Sequence, residues 1–240
     1  MDICTGTGCI SLLLHAILSP HFQRLSILGI DLSSTAIRLA NMNIEHNIQC
    51  GLLSDRSRTE VRFCQGDLFN GGWRKLPGIE EILKSYAFSP ICGEKLEPNE
   101  HVEWDVLVSN PPYISPQSYQ DGPTSRSVRH FEPRIALVPP TEPMLDIPGA
   151  CRQEDIFYYR LIALSFKLSV RLTVLECGDR EQGSRVADIC NIFADSLHQD
   201  YDWNISIWPD VETGYNGRFD GACAVVLHKL FKNQCDWSIG

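Results

Sequence analysis

The run Ser109-Asn110-Pro111-Pro112-Tyr113-Ile114 places an amide side chain, two prolines and an aromatic ring directly after an apolar stretch. A primary amide or an aromatic amine is a poor nucleophile because its lone pair is delocalised. Chemistry at such a nitrogen therefore depends on holding its N–H groups and freeing that pair. The Asn110 side-chain oxygen and the Pro111 carbonyl can each accept one N–H of an NH2 group, the prolines stiffen the loop, and the Tyr113 ring can pack on a planar substrate group. With a sulfonium methyl in line, alignment and desolvation supply most of the acceleration, and no classical base is required. The ordinary structural alternative is an Asn turn followed by two loop prolines.

A second constellation opens the chain. Asp2-Ile3-Cys4-Thr5-Gly6-Thr7-Gly8-Cys9-Ile10 reads as a strand end, a glycine turn and the start of a helix. Such a turn lets the backbone approach a ligand closely and points unpaired helix N-terminal amides at it, although a plain tight turn reads the same way in isolation. Asp31 ends the next apolar run, 23 residues beyond Gly8. A nucleotide-binding sheet places an acid there on ribose hydroxyls. Gly66-Asp67-Leu68 ends the third run, and an acid at that point can accept from an adenine amino group. Three such strand ends in register describe an adenosine pocket along one sheet edge.

The elements that must carry these residues follow from periodicity. Helical patterns cover residues 8–19, 33–47, 154–168 and 180–198, and short apolar runs mark strands at 25–31, 60–66, 104–109, 171–177, 203–208 and 222–229. The second helix opens on a Ser N-cap and carries an apolar stripe at Ile37, Ala40, Ile44 and Ile48. This alternation predicts an α/β, Rossmann-like sheet with crossovers. The last two strands have no helix between them, so they predict a C-terminal antiparallel hairpin, which an ordinary dinucleotide-binding sheet lacks. Residues 70–103 read as a surface insertion with one short helix at 79–86. Residues 114–153 read as a long substrate-side loop, and 231–240 as a tail.

Composition narrows the function classes. The 240 residues carry 21 Lys+Arg against 30 Asp+Glu, a net charge of −9, with 43% hydrophobic residues. That surplus of acid argues against a phosphate-tracking surface and for a protein or small-molecule substrate. No apolar run has the length of a membrane span and no presequence is visible, so no membrane partner is expected. The ten cysteines show no C-x-x-C spacing and the seven histidines no H-E-x-x-H pair, so free thiols and no metal site are expected.

Taken in order, DICTGTGCI, GID with Asp31, GDLF, NPPYI, VRHFEPRIAL and LECG followed by EQG resemble the HemK/PrmC family of S-adenosylmethionine-dependent glutamine methyltransferases. The resemblance covers essentially residues 2–230, interrupted at 70–103 and at about 139–153. NPPY is shared with DNA and other protein or RNA amino-methyltransferases, whereas the FEP segment is family-specific. The resemblance implies a class I methyltransferase sheet and S-adenosyl-L-methionine as cofactor, with Thr5, Gly6, Thr7, Gly8, Asp31, Asp67, Leu68 and Asn110 on the cofactor side. It implies that Asn110, Pro111, Pro112 and Tyr113 hold the reacting amide and that Phe131, Glu132 and Pro133 lie on the substrate side, while Glu176 is structural. The implied substrate is the glutamine of the Gly-Gly-Gln motif in a class I peptide chain release factor. NPPYI with FEPRIAL resembles the bacterial and mitochondrial type, which favours a mitochondrial role over a cytoplasmic one.

The family's N-terminal helical recognition domain and the start of its first strand have no counterpart before Asp2. The sequence therefore reads as a monomeric, N-terminally truncated catalytic domain spanning 1–230. Two other readings stay open: methylation of an exocyclic nucleobase amine such as adenine N6, and an inactive methyltransferase-fold protein.

Overall fold

The computed structural model describes residues 1–69, 76–87, 103–121, 125–140, 151–196, 201–209 and 221–231. The chain forms two compact units, Met1–Glu103 and Trp104–Gly240. The expected insertion lies outside the described residues at 70–75 and 88–102, as do the tail from 232 onward, Cys92 and Cys235.

In the first unit, β1 (Asp2–Ile3), α1 (Cys9–Leu18), β2 (Ile27–Asp31), α2 (Ser34–Gln49), α3 (Ser57–Glu60), β3 (Val61–Gln65) and α4 (Ile79–Ala87) follow one another. β2 pairs in parallel with β1, Asp2 opposite Gly29, and with β3, Gly29 opposite Phe63 and Asp31 opposite Gln65. Ser33 caps α2 by accepting from the Ala36 N–H. The α2 stripe then meets the sheet as the spacing predicts: Ala40 and Ile44 are buried with Leu12, Ile27, Leu53, Val61 and Phe63, and Ile37 and Ile48 pack against them. Burying one such aliphatic or aromatic side chain is worth about 1.5–3 kcal/mol.

α3 corrects the expected strand start at residue 60, because Glu60 ends this helix. Arg56 holds the helix in place by donating to the carbonyls of Ser19, Phe22 and Gln23 and to Glu60, whose other oxygen lies 2.9 Å from the buried His15 Nε2. The short helix expected at 79–86 is α4.

The second unit contains β4 (Val106–Ser109), α5 (Pro116–Asp121), α6 (Arg126–Phe131), α7 (Ile156–Lys167), β5 (Leu172–Cys177), α8 (Arg180–Ser196), β6 (Tyr201–Pro209) and β7 (Cys223–Phe231). β4 and β5 are parallel, whereas β7 runs antiparallel to both β5 and β6, which is the expected hairpin. Thr173, Leu175 and Cys177 alternate into the core, and Tyr158, Leu161 and Ile162 of α7 are fully buried as well. Cys177 stands opposite Cys223 in register, and both are free, buried thiols that desolvation holds protonated, Cys177 pushed up to about 12. Part of the expected long loop at 114–153, residues 122–124 and 141–150, lies outside the described residues. Its described residues form α5, α6 and two 3-10 turns at Arg134–Ala136 and Gln153–Asp155. Helices of one or two turns leave no periodicity to read, but their caps are visible. Ser115 accepts from the Ser118 N–H just ahead of Pro116, and Ser125 accepts from the Val128 N–H. No described helix is long and apolar enough to cross a membrane.

The Phe63 ring ties β3 to the glycine turn. A Cβ on Gly8, whose φ is +82°, would lie 2.5 Å from Phe63 Cζ, and one on Gly29 would be equally close to the ring. Gly8→Ala therefore combines a left-handed backbone with a steric collision, and urea unfolding should show a loss of about 2–4 kcal/mol. In a Phe63→Leu background the collision is relieved and the same substitution should cost about 1–2 kcal/mol. Equal costs in the two backgrounds would remove the ring from the account.

Candidate active site

The glycine turn of the first unit is built on a buried acid. Asp2, 1% exposed, directs Oδ2 at three donors: Thr5 Oγ1 (2.6 Å), Ser11 Oγ (2.7 Å) and the Ser11 N–H (3.2 Å). These bonds fold residues 4–8 over the end of β1, with positive φ at Cys4, Gly6 and Gly8. The Asp2 Oδ1 atom is buried and has no partner among the described residues. Burial raises the Asp2 carboxyl above its ordinary range, opposed by the Thr5 and Ser11 hydrogen bonds.

Parallel register brings the three strand ends together as the spacing implied. The Thr5 N–H donates to the Ile30 carbonyl (3.1 Å), and the Gly66 N–H to the Asp31 carbonyl (3.0 Å). The Asp31 carboxylate accepts from the Gly6 N–H at Oδ2 (2.9 Å) and from the Ser33 N–H at Oδ1 (2.8 Å), which fixes its plane beside the turn. Each oxygen keeps a lone pair for a further donor. A Cβ on Gly6, at φ +56°, would meet nothing within 4 Å, so the turn is open on that side. Thr7 and Leu68 flank this edge. Asp67 is buried and accepts from the Phe69 N–H (2.9 Å).

In the second unit, Asn110 follows the last residue of β4 and is exposed, and its side chain makes no hydrogen bond among the described residues. Pro111 and Pro112 are buried behind it. The Tyr113 ring lies against Gly178, where a Cβ would sit 3.0 Å from the ring, and its hydroxyl donates to Glu176 Oε1 (3.4 Å). Burial first, and then the charge of Glu176, push the Tyr113 phenol up to about 12, with Glu132 adding to the shift. The ring is thus a neutral packing surface and not a base. Tyr158 donates its hydroxyl to the Glu176 carbonyl (2.7 Å), which supports the structural reading of Glu176 as the anchor of this edge.

Phe131, Glu132 and Pro133 are exposed, Phe131 at 86%, on a segment tied to the tetrad by the Ile114 N–H to Leu137 carbonyl bond (2.9 Å). Among the described residues no group of three or more His, Cys, Asp or Glu is placed to hold a metal ion. Two residues carry more of this geometry than their sequence context suggests. Asp2 opens the glycine motif without a role of its own, and Gln182, in the middle of the EQG run, bonds to partners 27 and 69 residues away.

No family model matches the chain. The release factor glutamine methyltransferase of Rhodopirellula baltica is 35% identical over 138 residues, 58% of this chain and 33% of that protein. The probable MRF1 mitochondrial N(5)-glutamine methyltransferase mtq1 of Schizosaccharomyces pombe is 29% identical over 217 residues, 83% of this chain and 56% of that protein. The ribosomal protein uL3 glutamine methyltransferase of Francisella tularensis is 30% identical over 137 residues, 57% and 30% of the two chains. The matches thus span about a third to a little over half of these relatives' length. Among solved structures, the METTL16 methyltransferase domain is 15% identical, covers 95% of this chain and 57% of its own, and superposes with a TM-score of 0.50. The relatives bear out the resemblance to the HemK/PrmC glutamine methyltransferases, and the structural likeness shows the α/β methyltransferase fold.

The raised Asp2 carboxyl has a signed consequence for stability. A carboxyl whose folded pKa exceeds its unfolded value near 3.8 holds its proton more tightly in the native state. Its contribution is therefore present below about pH 4 and is lost as pH rises through the folded value. Asp2→Asn keeps an acceptor for Thr5 and Ser11 without the ionisation. Urea unfolding should move in the variant's favour, relative to the parent, between pH 3.5 and pH 7. A pH-independent difference between the two chains would contradict the assignment.

Proposed function

We propose that this chain carries the catalytic unit of an S-adenosylmethionine-dependent methyltransferase, with residues 1–230 as the catalytic domain. The reaction moves a methyl group to the side-chain amide nitrogen of a glutamine, in the Gly-Gly-Gln motif of a class I peptide chain release factor. The observation that carries this reading is Asn110. An exposed amide with no hydrogen-bond partner among the described residues, set by two prolines at a strand end, suits an NH2 group as its occupant. The similarity to glutamine methyltransferases then favours a glutamine amide over a nucleobase amine, as does the net charge of −9. A mitochondrial setting is favoured by NPPYI with FEPRIAL and by the fission yeast relative.

The first unit has groups that fit the cofactor. Asp2 Oδ1 is a buried acceptor without a partner, the Gly6 face is open, and Asp31 is held rigidly with lone pairs to spare for hydroxyl donors. When bound, the sulfonium supplies an electrophilic methyl. In the second unit, the Asn110 oxygen and the Pro111 carbonyl accept the two N–H groups of the substrate amide and turn its nitrogen lone pair out of conjugation. The Tyr113 ring, neutral throughout, packs on the amide plane and excludes water. One N–C bond forms and one C–S bond breaks. The nitrogen then loses one proton, which goes to solvent, because the Asn110 amide is not basic enough to accept it and the Tyr113 phenol is held protonated.

Mass spectrometry of Gly-Gly-Gln peptides incubated with the purified protein and the methyl donor tests this reading, with the target-glutamine peptide of ribosomal protein uL3 and an adenine oligonucleotide alongside. A gain of one methyl on the Gly-Gly-Gln glutamine is expected. Methyl transfer to the oligonucleotide alone would replace the reading, and transfer to the ribosomal peptide alone would change the substrate. Two variants separate the roles of the units. Asn110→Ala should reduce transfer at least 100-fold while donor affinity stays within about threefold. Asp31→Ala should weaken donor binding at least tenfold, about 1.4 kcal/mol. Equal loss of donor affinity in both variants would contradict the assignment.

A further inference from the structure

We propose that Gln182 is a positioning residue for the Asn110–Tyr113 loop, whose side-chain amide fixes the backbone conformation in which Asn110 presents its oxygen; this rests on the methyl-transfer reading above. Gln182 lies in the first turn of α8 and is 4% exposed. The two N–H groups of its Nε2 face three acceptors, Asp155 Oδ1 (3.0 Å), the Tyr113 carbonyl (3.2 Å) and the more distant Glu154 carbonyl (3.4 Å), so that one N–H is shared. Its Oε1 accepts from the Gly178 N–H (2.9 Å), and its own N–H donates to Asp179 Oδ1 (2.7 Å).

This amide has one possible orientation. Flipping it would set its NH2 group against the Gly178 N–H and its oxygen against the Asp155 carboxylate. Asp155 is locked in turn by Arg185, whose Nε lies 2.7 Å from Oδ2 and whose second terminal nitrogen lies 3.2 Å from Oδ1. A buried, fully bonded polar side chain of this kind sets a conformation more sharply than apolar packing does, because any displacement leaves several groups unpaired.

The loop needs such a clamp at one point. Its start is held where Ser109 pairs with Leu175, and its far end where the Ile114 N–H meets the Leu137 carbonyl. Pro111 and Pro112 have φ fixed by their rings. The Tyr113 carbonyl belongs to the same planar peptide as the Ile114 N–H, so the Leu137 bond and the Gln182 bond together fix that peptide from its two sides. The same side chain grips Gly178, against which the Tyr113 ring rests. Backbone and ring of Tyr113 are thus referenced to one amide, which touches neither substrate nor donor.

Two substitutions separate positioning from bulk stability. Gln182→Glu keeps the acceptor for Gly178 but loses the donor to Tyr113 and repels Asp155. Gln182→Met removes every side-chain hydrogen bond at similar size. In the full chain, with the Gly-Gly-Gln peptide as substrate, kcat should fall at least tenfold in both while KM for the donor stays within about twofold. Amide hydrogen exchange followed by NMR should quicken at Tyr113 and Ile114 in both variants. Gly178 should stay protected in Gln182→Glu and lose protection in Gln182→Met, with α7 and β5 unchanged.

A kcat within twofold of the parent in either folded variant overturns the proposal, as does unchanged exchange at Tyr113 and Ile114. Exchange that quickens uniformly across the second unit, or failure of both variants to fold cooperatively, makes Gln182 a determinant of the fold and also overturns it. If the parent protein transfers no methyl to the peptide, the functional reading fails separately. The exchange pattern then decides: quickening confined to Tyr113, Ile114 and Gly178 upholds the clamp, and its absence overturns it.

Discussion

A carboxylate removed from water at the end of β1 holds the front of this protein together. Asp2 gathers a threonine hydroxyl, a serine hydroxyl and a backbone N–H on a single oxygen. Three successive departures from ordinary backbone, at Cys4, Gly6 and Gly8, are thereby closed into one turn. The arrangement makes physical sense only if the turn has to be open and rigid at once. Burying the acid raises its proton affinity and leaves its second oxygen unpaired, a cost of about 1–3 kcal/mol for an unmet polar group. Apolar packing supplies the compensation: Phe63 fills the space that side chains at Gly8 and Gly29 would need, and α2 covers the ring. The glycines are thus fixed from two directions, by backbone conformation at Gly8 and by crowding at both positions.

The second unit solves a similar problem with a neutral group. Its loop leaves β4 through two prolines, which give stiffness but remove N–H donors that could have tied the loop down. Hydrogen bonding must therefore come from outside the loop, and Gln182 provides it from the first turn of α8. An amide suits that position better than an acid or a base, because the site offers a donor at Gly178 and acceptors at Tyr113, Glu154 and Asp155. Carboxylate and amide differ in what they tolerate. Asp2 meets donors on its bonded oxygen, whereas Gln182 mediates between groups of both kinds and cannot be replaced by either ion without leaving one of them opposed.

The residues legible in the sequence are those whose type is unusual at their place in the chain. A left-handed glycine, an acid closing a strand and an Asn-Pro-Pro-Tyr run each have few ordinary explanations, and their order along the chain fixes which strand end each occupies. The α2 stripe and the C-terminal hairpin were equally open to reading, because periods of 3.6 and 2 persist over enough residues to be counted. The rest was hidden by its brevity or by distance. α3 spans four residues and α5 and α6 six each, too short for a period to show. Gln182 is an unremarkable residue for an exposed helix start, and only the fold brings the Tyr113 carbonyl and Asp155 to it. Asp2 was visible as a letter of the glycine motif, but two of its hydrogen bonds come from Ser11, nine residues further on in the first turn of α1.

The chemistry explains why these hidden residues concern conformation and not proton transfer. An amide N–H is too weakly acidic for a side-chain base to remove before attack, and the nitrogen lone pair is held in conjugation. A protein acting on it can contribute orientation, exclusion of water and acceptors for the two N–H groups. In the proposed reaction each of those contributions weakens when the acceptors are displaced by about 1 Å, so the loop has to be stiff. The Tyr113 phenol follows the same logic. Buried against Gly178 and facing Glu176, it is held protonated to about pH 12 and cannot serve as a base under ordinary conditions. What that environment preserves is a neutral ring in a fixed plane, which is the property a planar amide requires of its neighbour.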